Sequence, residues 1–128
     1  MQTSKYDPRY LRFFECFNRQ LYFEAHEVLE ALWLPQRQGP HGPFYKGLIQ
    51  LAGAFVHLQK NRPGPAARLL ELAQGNLQQF PATYEGLAVG AVLALIEDWR
   101  RRLRGEAPAT VPFTPTVADQ PRLQPPAQ

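Results

Sequence analysis

The chain reads as all-α: a compact bundle of about five helices followed by a Pro-rich tail. Three observations carry that reading. Apolar residues recur at intervals of three and four, prolines and glycines punctuate those runs, and no stretch alternates with period two long enough to make a central strand. With 128 residues there is room for one such core and not comfortably for two, so residues 1–104 are expected to form a single helical domain and 105–128 an extended or disordered tail.

Asp7-Pro8 reads as an N-cap followed by proline at the first helical position, where a missing N–H costs nothing. The first helix then carries Tyr10, Leu11, Phe14 and Phe17 on one apolar stripe, with Cys16 packing as a small hydrophobe. Leu21 to Leu34 lacks Gly and Pro and is rich in Glu, Ala and Leu, which predicts a second helix ended by Pro35. Residues 35–43 hold three prolines and two glycines and form a loop. Phe44, Leu48, Leu51, Phe55 and Leu58 predict a third helix from Phe44 to Lys60. A fourth follows from Ala66 to Phe80, prepared by Pro63 and Pro65, with Leu69, Leu72, Ala73, Leu77 and Phe80 as its apolar positions. A fifth runs from about Leu87 to Arg104, where Gly86, Gly90 and Ala94 would form a flat ridge for close helix packing. Six of the thirteen prolines fall after Gly105, and Val111, Phe113 and Val117 are the expected anchors of that tail.

Apolar residues at 45% and charged residues at 20% are ordinary globular composition, which excludes a wholly disordered or fibrous chain. The single cysteine, Cys16, excludes an internal disulfide framework and a thiolate zinc or iron–sulfur site, and a reducing cytoplasm fits best. Neither a signal peptide nor a membrane span is expected. A net charge of +3 is too small to identify a nucleic-acid binder. The basic run Arg100 to Arg104 beside Trp99 is explained by the favourable field at a helix C-terminus, with Glu97 and Asp98 offsetting part of its charge. His41, in the Pro/Gly loop, has no paired ligand and is expected to be solvent-exposed.

The polar residues that could carry chemistry sit on helices two and three. At ~100° per residue the core face of the second helix centres on Tyr22, Leu29 and Trp33. His26 falls inside it, Glu30 one turn on at its margin, and Glu27 and Glu24 further round. On the third helix, Lys46, Gln50 and His57 share the side opposite Phe44, Leu51 and Phe55. That side is either solvated or faces the second helix across an antiparallel hairpin. The run His26-Glu27-Val28-Leu29-Glu30 has the form HExxE, close to the zinc-binding HExxH helix motif with its second His replaced by Glu. His26, Glu30 and His57 would make a two-His, one-carboxylate set for zinc, manganese or iron with positions left for water. Glu27 would then be the general base, with Glu24 and Gln50 supporting. The alternative is a satisfied core histidine bonded to Glu30 on an otherwise solvated helix.

Phe17-Asn18, the run Tyr22 to Glu30, Trp33, Gly47 to Ala52, His57 and Asn61 together closely resemble the bacterial and archaeal family called domain of unknown function 309. The match is specific over residues 17 to 61 and looser to about Gly86. The resemblance implies a small helical bundle, and some members carry the label metal-dependent hydrolase, itself an inference, with no substrate attached. The residues that carry it include Glu24, His26, Glu27, Glu30, Gln50 and His57. Two departures stand out: Lys60-Asn61-Arg62-Pro63-Gly64-Pro65 makes a stiffer turn than the family pattern, and Ala88 replaces an expected acidic cap. The readings are then a metal-dependent hydrolase acting on an unidentified small molecule, or a non-catalytic helical module whose buried polar cluster fixes packing while its faces dimerise or bind a protein. Nucleic acid is not an expected partner, and a homodimer is compatible with either reading.

Overall fold

The computed structural model describes residues 5–105 and 121–126. Its elements are α1 (Pro8–Asn18), α2 (Tyr22–Trp33), a 3-10 turn (Leu34–Gln36), α3 (Gly42–Gln59), α4 (Pro63–Leu77), β1 (Thr83–Tyr84), β2 (Leu87–Ala88) and α5 (Val89–Leu103). Each helix packs on the next in sequence, α1 on α2, α2 on α3, α3 on α4 and α4 on α5. The helical bundle expected from the periodicity is therefore the observed fold. No described helix is long and apolar enough to cross a membrane.

Local chemistry sets the helix ends. The Asp7 side chain accepts a hydrogen bond from the Arg9 backbone N–H at 2.8 Å and so caps α1, while Pro8 needs no partner in that first turn. The Arg9 guanidinium also bonds the Asp7 carboxylate and holds its pKa below the usual carboxylate range. Pro35 does not end α2 outright but sits in the 3-10 turn that continues it. α4 begins at Pro63, earlier than expected, because prolines in a first turn lose no hydrogen bond there. Asn61, at φ 56, makes the left-handed turn that separates α3 from α4.

Where the pattern misled, the reason is local. Leu11 is only partly buried and Phe13 takes its place on the core face of α1; Cys16 is buried as expected. On α2 the buried residues are Tyr22, Ala25, Leu29 and Leu32, so the face is rotated away from Trp33 and leaves His26 at its edge. Leu72 is 40% exposed, and Ala66 and Leu70 are buried on α4 instead. The start of α5 is displaced by a small antiparallel hairpin in which Thr83 pairs with Ala88 and Tyr84 with Leu87. Gly86 belongs to its turn, at φ +72, and Gly90 and Ala94 face outward, so no glycine ridge packs a helix. Val111, Phe113 and Val117 lie outside the described residues. Within them, the tail is anchored by Pro121, Leu123 and Pro126, all buried.

The core is organised by rings. Phe55 at the middle of α3 meets Phe17 of α1 edge-on at 5.7 Å, stacks on Tyr22 of α2 at 5.2 Å, and meets Trp99 of α5 edge-on at 5.2 Å. A second set of contacts links Tyr10, Phe44, Phe80 and Tyr84 and ties the hairpin to the start of α3. There His41 Nδ1 lies 2.7 Å from the Tyr84 hydroxyl and its Nε2 3.6 Å from Glu85, while Tyr10 donates to the Glu85 carbonyl at 2.8 Å. His41 is therefore half-buried and partnered, contrary to the exposed loop residue expected; its partners are more than forty residues away and invisible to local pattern.

Phe55→Ala should lower unfolding free energy by ~3–5 kcal/mol in urea titration, because it removes the one ring that three helices share. The hydroxyl of Tyr22 is buried without a hydrogen bond of good geometry, and burial pushes its pKa up to about 12 against a weaker opposing pull from the nearby Gln20 side chain. Burial raises Tyr10 and Tyr45 as well. Groups raised in the folded state give their full stabilisation below the unfolded tyrosine value of ~10 and lose it as pH rises through the folded values. Tyr22→Phe is expected to be neutral to about 1 kcal/mol stabilising at pH 7, and to raise the midpoint of alkaline unfolding followed by circular dichroism.

Candidate functional site

α2 and α3, joined by a short 3-10 turn, run antiparallel, and between them and α4 lies an open cleft of about 250 Å³. α2 lines it with Phe23, His26 and Glu30, α3 with Lys46, Ile49, Gln50, Gly53, Val56 and His57, and α4 with Leu69. The positions on α3 recur at three and four residues and so form one face of the helix. The second of the two arrangements considered for that face, apposition with α2, is the observed one.

Five of the seven polar residues singled out in the sequence meet here: His26, Glu30, Lys46, Gln50 and His57. Glu24 and Glu27 do not. Both are exposed and absent from the cleft wall, because they lie further round α2 than the edge that meets α3. His26 Nε2 is 3.7 Å from Glu30 Oε2, too long for a neutral hydrogen bond but close enough for an ion pair when the imidazole is protonated. Gln50 Oε1 accepts from Asn76 Nδ2 of α4 at 2.7 Å, which fixes the amide and leaves its NH₂ as donor. Lys46 Nζ rests 4.5 Å from the centroid of the Trp33 ring at the rim. The Phe23 ring lies roughly parallel to His26 with centroids 6.1 Å apart, and at 53% exposure it stands over the mouth. At Gly53 a Cβ would approach Leu69 Cδ1 to 3.3 Å, so glycine lets α4 come close and form the cleft floor.

The Nδ1 atoms of His26 and His57 are both buried without a hydrogen-bond partner. A neutral imidazole has one N–H and one bare lone pair, and an orphaned buried N–H is the rarer and costlier of the two. We therefore assign the proton to Nε2 in each ring, which makes both histidines donors through that atom. Lys46 and the Gln50 amide are donors too. Glu30 is the one carboxylate among the lining residues.

The same geometry bears on metal binding. Among the described residues no three His, Cys, Asp or Glu side chains gather closely enough to hold an ion. His26, Glu30 and His57 line one cleft, but as placed they are not gathered into a three-ligand set.

Several contributors were not anticipated. Phe23, Ile49, Val56 and Leu69 supply the apolar wall and Asn76 orients Gln50. The polar Asn76 amid Ala73 and Leu77 on α4 is the signal that could have found the last. The basic run of α5 is engaged at home: Arg100 bonds Gln74, Arg102 lies 3.3 Å from Asp98 and over the Trp99 ring, and Arg104 lies 3.3 Å from Glu97.

Comparison with known proteins agrees with the motif residues. An uncharacterized protein of Aquifex aeolicus (strain VF5) is 25% identical over 83 residues, 65% of this chain but 25% of that protein, so the chain spans about a quarter of the relative's length. No solved structure matches. The family model described as domain of unknown function (DUF309) matches residues 10–69, a stretch that holds most of α1, all of α2 and α3, and every polar group lining the cleft.

Proposed function

We propose that the chain binds a small molecule in the α2–α3–α4 cleft, a ligand with an apolar body and a hydrogen-bond-accepting end. One observation carries this: His26, Gln50, His57 and Lys46, four potential donors, converge on a cavity whose remaining wall is mostly apolar. The body of the ligand would lie on Ile49, Val56 and Leu69 under Phe23, and its accepting atoms would meet the donors. At about 250 Å³ the cleft suits a molecule smaller than a typical drug.

Hydrolytic chemistry in the same cleft is a second reading, favoured by Glu30 standing 3.7 Å from His26 Nε2. A carboxylate there stabilises an imidazolium, so His26 could take a proton from a water or a substrate hydroxyl and hold it. Working as a base at Nε2 requires the resident proton to move to Nδ1, which has no acceptor. Binding is therefore the stronger claim. Glu27 takes no part in it from its exposed position.

A fragment screen by two-dimensional NMR tests the reading. Small fragments are expected to shift the amides of Ile49, Gln50 and Gly53 and the ring signals of His26 and His57, and Val56→Trp, which fills the cleft, should weaken them by about tenfold or more. Fragments that bind elsewhere, or that ignore Val56→Trp, would count against the cleft. Ester turnover falling ~100-fold in His26→Ala and less in Glu30→Gln would add the catalytic role. Stoichiometric metal in protein purified without chelator, lost in both His26→Ala and His57→Ala, would show that the donors close around an ion and would replace the metal-free reading.

A further inference from the structure

α1 and α5 do not pack extensively on each other, and residues 121–126 lie in the seam between them, held by Asn18 of α1 and set against Ala91 and Val92 of α5. Asn18, the last residue of α1, holds this segment by its main chain. Its Nδ2 donates to the Leu123 carbonyl at 2.8 Å and its Oδ1 accepts from the Leu123 N–H at 2.7 Å, so one amide side chain pairs with one residue as a neighbouring strand would. Around that clamp the segment inserts apolar side chains at intervals: Pro121, Leu123 and Pro126 are buried, while Arg122, Gln124 and Pro125 point out. Pro126 rests on Gly86, where a Cβ would come within 2.6 Å of it.

Leu123 joins the hydrophobic core, and space remains on either side of it. A cavity of about 40 Å³ remains beside Leu123 against Leu87, Ala91 and Val92, and an open groove of about 510 Å³ continues along α1 past Pro125. Main-chain bonds fix an extended backbone, and two prolines and a leucine provide the selectivity.

We infer that the seam is a peptide-recognition site for an extended segment of the form Pro-x-Leu-x-x-Pro, filled by residues 121–126 of the same chain and open to the same segment from a second copy. Each copy carries both the site and its ligand, so mutual exchange closes a two-fold pair without any new surface. This is independent of what the cleft binds.

The probe is a labelled synthetic peptide of residues 119–128, titrated into the full chain and into full-length Leu123→Asp, whose own segment can no longer seat its leucine. The peptide should bind Leu123→Asp about tenfold or more tighter than wild type, where the tethered copy competes at high effective concentration. Adding Asn18→Ala to Leu123→Asp should weaken it about tenfold again. No binding to a folded Leu123→Asp chain, or binding indifferent to Asn18→Ala, overturns the inference. Should Leu123→Asp not fold, hydrogen exchange of wild type decides. A Leu123 amide exchanging ~100-fold or more faster than that of Leu51 in α3 supports a releasable ligand, and equal protection makes the segment core and overturns it. In sedimentation, a dimer fraction at high concentration that Asn18→Ala removes is expected, and a strictly monomeric wild type overturns exchange between copies.

Discussion

The architecture depends on the near-complete burial of α3. Phe44, Leu48, Leu51, Phe55 and Leu58 are fully buried, and Gly47, Ile49, Ala52 and Ala54 close most of the remaining circumference. A helix so apolar must be covered by others, and α2 and α4 do this from opposite sides with rings reaching in from α1 and α5. The one stripe of α3 left uncovered is Lys46, Gln50, Gly53 and His57. The cleft is thus the line along which the central helix meets water, and its polar groups are polar for that reason.

Much of this was legible from periodicity. All five apolar positions expected on the third helix are buried, and the polar stripe opposite them is the cleft wall, because a helix of eighteen residues repeats its pattern often enough to define its faces. α2 was read less well. Its mean composition is apolar on more than one side, so the buried face could be set around Trp33 or around Ala25 and Leu32, and only packing against α1 and α3 decides. The hairpin at Thr83–Ala88 was not legible at all, since two-residue strands have no period and this pair is held by Tyr10 and His41 from elsewhere. For the site, residue choice was better than residue role. HExxE spacing marked His26 and Glu30 correctly as neighbours, but spacing along one helix cannot say that a third ligand will close on them.

Three polar groupings in the molecule differ in how completely they are satisfied. His41 uses both ring nitrogens, one toward Tyr84 and one toward Glu85, and pins the hairpin to the start of α3. Asn18 uses both ends of its amide on one residue. His26 and His57, by contrast, each keep a buried nitrogen without a partner beside an open cavity. Buried polar atoms in native proteins are almost always paired, so these two nitrogens and the Tyr22 hydroxyl in the core are the exceptions among the described residues.

The clamp at Asn18 also has a consequence in time. Its partner, Leu123, lies 105 residues further along the chain, whereas each helix packs on its immediate successor. As the polypeptide emerges from the ribosome, α1 to α4 can therefore dock in order while the flank of α1 stays uncovered until the last contact is made. Through that interval the growing chain presents a vacant, leucine-sized seat to whatever else is near it, including its neighbours on the same message.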